Sequence, residues 1–243
     1  MQPFRIEHFD TVVSTNELVK HGLEMGYDEG LVCRAAEQVG GYGRQGRTWV
    51  SPRGGLYQSI LLRPDVPDSQ VATLSLVVGL AVREALLALS GLDHDAIQVK
   101  WPNDVVCESG KLAGISLEAH AGGVCVGVGV NVFHSADEAS IEGKNVPAYL
   151  ADLLGKQATT LTVDAVGDEV LVALESRYDI WCNGGFAPFV DEFNECNALA
   201  GKRVDIADRN GNVVKSGPVA GVNANGSLLV GNAPISSGEA HIL

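Results

Sequence analysis

Apolar and polar residues follow a helical spacing in three parts of this chain of 243 residues. Residues 14–26 begin with a capping box formed by Ser14 and Glu17 and end at Gly26, which predicts a helix. A second helix is predicted from about residue 71 to Gly91, and a third over residues 164–182, which open with acidic residues. Because Arg83 and Glu84 interrupt the very apolar second segment, we expect a core helix there and no membrane span.

Strand patterns lie between these helices and again at the C-terminal end. Strands are predicted over residues 31–38, 56–63, 97–101, 111–119 and 123–133, and the last two are expected to pair and to be largely buried. From about Asn197, short β-rich runs are separated by Asn210-Gly211 and Asn225-Gly226, which are hairpin signals. The fold class is therefore α+β. A main domain over residues 1–196 is followed by a small β-barrel over residues 197–243 that docks on it.

Composition excludes several classes of function. The net charge is −13, so the protein lacks the basic footprint of a nonspecific nucleic-acid binder, and no nucleic-acid partner is expected. The N-terminal ten residues hold no apolar signal-peptide core, which indicates a cytoplasmic protein. The five cysteines form no CxxC pair and are interpreted as reduced, largely buried thiols.

The loop GGYGRQGRTW, residues 40–49, is locally basic in this acidic chain. No acidic residue occurs between Glu37 and Asp65, whereas four arginines do. Glycines let the backbone approach a ligand, and Arg44 and Arg47 can bind carboxylate or phosphate oxygens. A solvated surface turn explains the segment equally well. A dinucleotide-binding loop is disfavoured because TWVSPRGG cannot continue as a helix.

Two further clusters favour a ligand site. In KWPND, residues 100–104, Asn103 and Asp104 offer oxygen ligands for Mg²⁺, and Lys111 offers a mobile positive charge. A plain Pro-Asn-Asp turn with a surface lysine is the alternative. The glycines of GVGVN, residues 127–131, indicate close approach of a ligand or of another backbone.

Together with STN at residues 14–16, these clusters resemble the biotin protein ligases. Members of that family carry Ser-Thr-Asn, a Gln before a GRGRxGRxW loop, KWPND, Lys-x-x-Gly-Ile and Gly-x-Gly-x-Asn. This chain has STN, EQVGGYGRQGRTW, KWPND, KLAGIS and GVGVN in the same order. The resemblance covers essentially the whole chain, and it is the combination of motifs that makes it specific.

The resemblance implies a fold, a reaction and its partners. The fold would be a class II synthetase-like catalytic domain, with a mixed or antiparallel sheet flanked by helices, followed by an SH3-like barrel. The enzyme would convert biotin and MgATP into biotinyl-5′-adenylate and pyrophosphate, and then transfer biotin to a lysine of a biotin carboxyl carrier protein. No membrane partner is implied, and a homodimer is left open. With 13 residues before Ser14, we expect a short form without an N-terminal DNA-binding domain.

The resemblance also implies roles for individual residues. Lys111, Arg44 and Asp104 would be catalytic, and Asn103 and Asp104 would serve the metal. The residues expected to bind biotin are Ser14, Thr15, Asn16, Gln38, Gly41, Tyr42, Trp49, Lys111, Gly114, Ile115 and Gly127. The residues expected to bind ATP or the adenylate are Arg44, Arg47, Trp49, Asn103, Lys111 and Asn131.

One position departs from the family pattern. Tyr42 stands where the family loop has an arginine, and a tyrosine carries no fixed positive charge. We therefore expect this protein to release biotinyl-adenylate more readily than loops with arginine there. Two alternatives remain: a lipoate or octanoate ligase or transferase of the same superfamily, and a biotin-binding module with impaired catalysis.

Overall fold

Among the described residues the main sheet has seven strands, and its helices divide unequally between its two faces. The computed structural model describes residues 3–135 and 146–243. The strand order is β1-β2-β3-β7-β6-β5-β4. The strands are β1 (Arg5–Val12), β2 (Leu31–Gln38), β3 (Leu56–Leu62), β4 (Gln98–Lys100), β5 (Asp104–Cys107), β6 (Gly110–His120) and β7 (Gly123–Val130). β1 and β2 run parallel and every other neighbouring pair is antiparallel, so the sheet is mixed, as expected.

Six α-helices accompany this sheet in the parts of the chain that the structure describes. They are α1 (Thr15–Glu24), α2 (Asp68–Val71), α3 (Leu74–Ser90), α4 (Leu150–Leu154), α5 (Val163–Gly184) and α6 (Val190–Glu195). α3 and α5 pack together over one face of the sheet, where the main apolar core lies. α1 contacts β2, β3 and β7 on the other face and forms a smaller core with them. Because α1 covers only the half of this face that is formed by β2, β3 and β7, the half above β5 and β6 is left open to a ligand.

The most apolar segment is a core helix. Asp68–Ser90 is the only stretch of the described residues that is long and apolar enough to cross a membrane, yet 67% of its most apolar window is buried in the protein. Burial against α5 and β6 accounts for this composition, as predicted.

The C-terminal strands form a second, antiparallel sheet of order β11-β10-β9-β8-β12. Its strands are β8 (Arg203–Ala207), β9 (Val213–Val222), β10 (Leu228–Val230), β11 (Ala233–Ile235) and β12 (Glu239–Ile242). Both predicted hairpins form, with Gly211 and Gly226 at positive φ in their turns. Within the part of the chain that the structure describes, β11 and β12 do not pair, so the sheet is barrel-like without being closed.

The two sheets share one apolar core. Apolar side chains of β8, β9, β10 and β12 belong to the same buried cluster as those of α3 and α5. Trp101 Nε1 donates to the carbonyl of Gly226, and both backbone polar groups of Val99 bond to the segment between α6 and β8. A domain boundary at residues 196 and 197 stays a prediction, although the change from helices to strands falls there.

Several predicted elements were found, and a few details were wrong. The strand over Leu31–Gln38 has the predicted bounds. The second predicted helix begins at Leu74, after the separate short α2. Ser14 precedes α1 as expected but makes no side-chain capping hydrogen bond, so the predicted capping box does not form. β1 and β5 were not predicted.

Candidate active site

A cleft of about 360 Å³ opens on the sheet face that α1 leaves uncovered. Residues of β4, β5, β6 and β7, the start of α1, the glycine-rich loop and β12 line it. All but one of the residues predicted to bind biotin or ATP are among them. The exception is Gly41, which lies behind the cleft wall. A Cβ there would come within 2.6 Å of the Trp49 carbonyl, so Gly41 lets the loop pack closely and does not contact the cleft.

Buried hydroxyl and amide groups form a connected network at the α1 end of the cleft. The backbone N–H of Thr15 donates to Gln38 Oε1 at 2.8 Å. The hydroxyl oxygen of Thr15 lies 2.7 Å from the hydroxyl oxygen of Ser59. Ser59 donates to Asn16 Oδ1 at 2.6 Å, and Asn16 Nδ2 donates to Ser116 Oγ at 3.0 Å. Such a network fixes donors and acceptors in place before a polar ligand arrives.

Gly114, Gly127 and Gly129 make a flat floor in the middle of the cleft. Gly114 on β6 lies directly opposite Gly129 on β7, and Trp49 stands over both. A Cβ on Gly129 would come 2.6 Å from Trp49 Nε1, so the indole lies directly on backbone. Trp49 Nε1 is buried and has no hydrogen-bond partner among the described residues.

Charged residues occupy the far end of the cleft. Lys111 Nζ lies 2.6 Å from Asp104 Oδ1 and 5.2 Å from the centre of the Trp49 ring. Asn131 Nδ2 donates to the Lys111 carbonyl at 2.9 Å, which fixes the backbone of that lysine. Asp104 therefore holds the Lys111 ammonium group at a position from which it can contact a negatively charged ligand that lies against the Trp49 ring.

Arg44 brings a second cation to this end. Its Nη1 donates to Asn103 Oδ1 at 3.0 Å, and Asn103 Nδ2 donates to the Ile115 carbonyl at 2.8 Å. Burial lowers the pKa of Arg44, and the neighbouring charge of Asp104 opposes that shift. Asn103 thus spans the distance from the loop to β6.

The glycine-rich loop is a short hairpin held at both ends. Tyr42 bridges to Thr48, and Gln45 has a left-handed φ of 61°. The hydroxyl of Tyr42 donates to Glu17 on α1, and Arg47 forms an ion pair with Glu239 on β12. These contacts join the loop to α1 and to β12, so the loop forms one wall of the cleft, although Gln45, Gly46, Arg47 and Thr48 are exposed.

Comparison with known proteins places this cleft in a family. Residues 9–132 match the model of the Biotin/lipoate A/B protein ligase family. A biotin–(acetyl-CoA-carboxylase) ligase of Paracoccus denitrificans is 33% identical over 205 residues, covering 81% of this chain and 82% of that relative. The chain belongs to this ligase family.

Solved structures agree with that assignment. The biotin protein ligase from Aquifex aeolicus in complex with biotin and ATP superposes with a TM-score of 0.84 at 28% identity, over 98% of both chains. A bifunctional ligase/repressor BirA from Bacillus spizizenii is 31% identical over 189 residues. That alignment spans 74% of this chain and 56% of the longer relative.

Few side chains of the described residues could coordinate a metal ion. No group of three or more His, Cys, Asp or Glu that could hold a metal occurs in residues 3–135 and 146–243. Asn103 was predicted as a ligand, but its carbonyl oxygen is bound to Arg44. Asp104 keeps a carboxylate in the cleft, and Mg²⁺ often takes one protein carboxylate together with substrate phosphates. Asp104 therefore fits a metal that arrives with its nucleotide.

Sequence reasoning missed several residues of the site, including Gly129 of the glycine floor. Ser59 and Ser116 complete the polar network, and a buried serine within an apolar strand is a signal that could have identified them. Lys100 also lines the cleft. It belongs to the KWPND motif, in which Asn103 and Asp104 were assigned roles but Lys100 was not. Glu239 comes from the far end of the chain, and no local pattern indicates its contact with Arg47.

Proposed function

We propose that this chain is an ATP-dependent biotin protein ligase. It activates biotin as biotinyl-5′-adenylate and transfers it to a lysine of a biotin carboxyl carrier protein. The observation that carries the proposal is the order of groups in one cleft: a buried polar network, a glycine floor under Trp49, and then Lys111 beside Asp104. This order matches biotin, which has a polar ureido group at one end and a carboxylate at the other.

The polar end binds the ureido group. Ser14, Thr15 and Asn16 start helix α1 and are at most 4% exposed, so they meet a ligand without competing water. The hydrogen bonds of Thr15 and Asn16 to Gln38, Ser59 and Ser116 fix the orientation of these donors and acceptors.

The charged end brings two anions together in the first step. A carboxylate oxygen of biotin attacks the α-phosphorus of ATP, and pyrophosphate leaves. Lys111 contacts both anions and stabilises the negative charge that grows on the α-phosphate. Arg44, held by Asn103, adds a second positive charge from the loop. Magnesium bound with ATP would neutralise further phosphate charge, and Asp104 is the residue that would hold it.

The second step releases AMP. The amine of the acceptor lysine attacks the acyl carbon, and the bond to the phosphate oxygen breaks. Trp49 covers the adenylate until then, and its unpartnered Nε1 can donate to it. No covalent bond to the enzyme is required in either step.

Pyrophosphate release tests this assignment. Purified protein is incubated with MgATP and with biotin, lipoate or octanoate, and pyrophosphate is measured. We expect pyrophosphate release with MgATP and biotin, and no release with MgATP and either lipoate or octanoate. Release only with lipoate or octanoate would favour the alternative activity in this family, and binding of biotin without release would indicate a module with impaired catalysis.

A further inference from the structure

Glu118 lies at the outer end of the buried polar network and has no role so far. It is on β6, two residues after Ser116, so both side chains point to the same face of the sheet. Its Oε1 accepts a hydrogen bond from Asn16 Nδ2 at 3.1 Å, and its Oε2 accepts one from Lys20 Nζ at 3.3 Å. An ion pair between β6 and α1 therefore stands at one end of a chain of neutral groups.

The Glu118 carboxylate determines which way the Asn16 amide is turned. An ionised carboxylate only accepts hydrogen bonds, so the Asn16 atom that faces it must be the nitrogen. The second hydrogen of that nitrogen goes to Ser116 Oγ at 3.0 Å, and Asn16 Oδ1 is left to accept from Ser59 at 2.6 Å. Asn16 is only 4% exposed, so the opposite orientation, with two acceptors face to face, would be costly.

The hydroxyl groups carry this direction further. A hydroxyl has one proton to donate. Ser59 gives its proton to Asn16, so in the 2.7 Å contact between Ser59 and Thr15 the Thr15 hydroxyl must be the donor. The longer contact of that hydroxyl with Gln38, at 3.1 Å, agrees with this direction. Ser116 accepts from Asn16, and its own proton has no acceptor among the described residues.

The direction of the network decides what Ser116 offers to a ligand. Ser116 lines the cleft above Gly127, where an added Cβ would lie too close to Ser116 Oγ to be accommodated. With Asn16 turned as described, Ser116 can donate its proton into the cleft. If Asn16 were turned over, its Oδ1 would take that proton, and Ser116 would offer only an acceptor. A ureido carbonyl oxygen requires the donor.

We infer that Glu118, paired with Lys20, is a positioning residue that turns Asn16 and thereby makes Ser116 a hydrogen-bond donor to the ureido oxygen of biotin. This inference rests on the proposed function, which supplies the ligand. Glu118 does not line the cleft, so it acts through Asn16 and does not itself contact biotin.

The variant Glu118→Gln tests this role, because it keeps the shape of the side chain but cannot satisfy both neighbours. A carboxamide has one oxygen that accepts and one nitrogen that donates, whereas Asn16 Nδ2 and Lys20 Nζ both require an acceptor. Lys20→Met removes one of these two donors. The double variant can therefore turn its carboxamide oxygen toward Asn16 without placing two donors face to face.

Biotin affinity is measured by calorimetry in the absence of ATP. We expect Glu118→Gln to weaken binding at least about tenfold, because a buried donor loses its acceptor. Lys20→Met should weaken binding at most about threefold, since Glu118 still accepts from Asn16, and the double variant should bind biotin as Lys20→Met does. Glu24→Gln is the matched control on α1, because Glu24 pairs with His120 outside the cleft, and it should match wild type.

A second cycle tests the donor role of Ser116. Ser116→Ala should weaken biotin binding about three- to tenfold in the wild-type background. It should have little further effect together with Glu118→Gln, in which the Ser116 proton is no longer presented to the ligand.

Three results would overturn the inference: biotin binding by Glu118→Gln equal to wild type, a double variant with Lys20→Met that stays as weak as Glu118→Gln, or undiminished binding by Ser116→Ala. If folded wild-type protein binds no biotin, the proposed function fails first.

Discussion

The hydroxyl of Tyr42 donates a 2.7 Å hydrogen bond to Glu17 Oε1, which ties the glycine-rich loop to helix α1. Glu17 also pairs with Lys20 at 2.7 Å, and Lys20 Nζ lies 5.4 Å from the centre of the Tyr42 ring. Burial disfavours the charged form of Lys20, but its hydrogen bonds to Glu17 and Tyr42 and the charge of Glu118 together outweigh this effect and raise its pKa. Where the related loops carry an arginine, this loop carries a neutral hydroxyl and has a charged lysine of α1 beside it.

Removal of this hydroxyl should loosen the loop. We expect Tyr42→Phe to speed the dissociation of biotinyl-adenylate about three- to tenfold, because one hydrogen bond to a charged group is lost at a partly exposed site. The dissociation rate of labelled adenylate measures this effect. Tyr27→Phe is the control, since Tyr27 is an exposed tyrosine outside the cleft. Equal rates for wild type and Tyr42→Phe would show that the bond does not hold the loop.

An arginine at position 42 should have the opposite effect. Tyr42→Arg restores the positive charge of the family loop close to Glu17, so we expect slower release of the adenylate than from wild type. The same dissociation measurement applies. A rate equal to that of wild type would contradict the expectation that Tyr42 weakens retention.

The ion pair of Arg47 with Glu239 should couple the C-terminal sheet to the site. Glu239→Gln removes the charge but keeps the shape, and we expect it to weaken ATP binding about three- to tenfold because Arg47 loses its position. ATP affinity is compared for Glu239→Gln, Arg47→Met and the double variant. Strictly additive effects in this cycle would rule out the coupling.

The glycine floor should not tolerate a methyl group. In Gly129→Ala the new Cβ would come 2.6 Å from Trp49 Nε1, so the indole must move and affinity for the adenylate should fall at least tenfold. Gly79→Ala is the matched control in helix α3, because its new Cβ would meet its nearest neighbour at an ordinary 3.9 Å. That variant should keep full affinity and gain up to about 1 kcal/mol in free energy of unfolding. Unchanged affinity in Gly129→Ala would contradict the described packing of Trp49.

The sequence predicts those strands and helices whose apolar pattern and end signals both lie within the segment itself. β2 is an apolar run that ends at the loop, and its bounds were predicted in full. β1 was missed because it is an edge strand whose side chains are mostly exposed, so it has no apolar run. β5 was missed because Pro102 and Asn103 were interpreted as a turn, and the strand that follows is only four residues long.

The site divides in the same way. Motif residues such as Lys111 and Trp49 could be predicted because each lies in a local pattern. The contacts that orient them could not, because they join positions far apart in the chain, such as Arg47 with Glu239. The predicted capping box shows that the right spacing of two residues does not ensure that their side chains form the expected hydrogen bonds. Glu17 has the predicted spacing from Ser14, but its carboxylate binds Tyr42 and Lys20 instead.

Transfer of labelled biotin to a biotin carboxyl carrier domain, in the presence of MgATP, is the decisive test of the proposed ligase activity. Lys111→Ala is compared with wild type, since we propose that Lys111, beside Asp104 in the cleft, contacts both anions of the first step. We predict that wild type labels the carrier domain and that Lys111→Ala loses at least about 100-fold in rate. Undiminished labelling by Lys111→Ala, or no labelling by folded wild-type protein, would contradict this account.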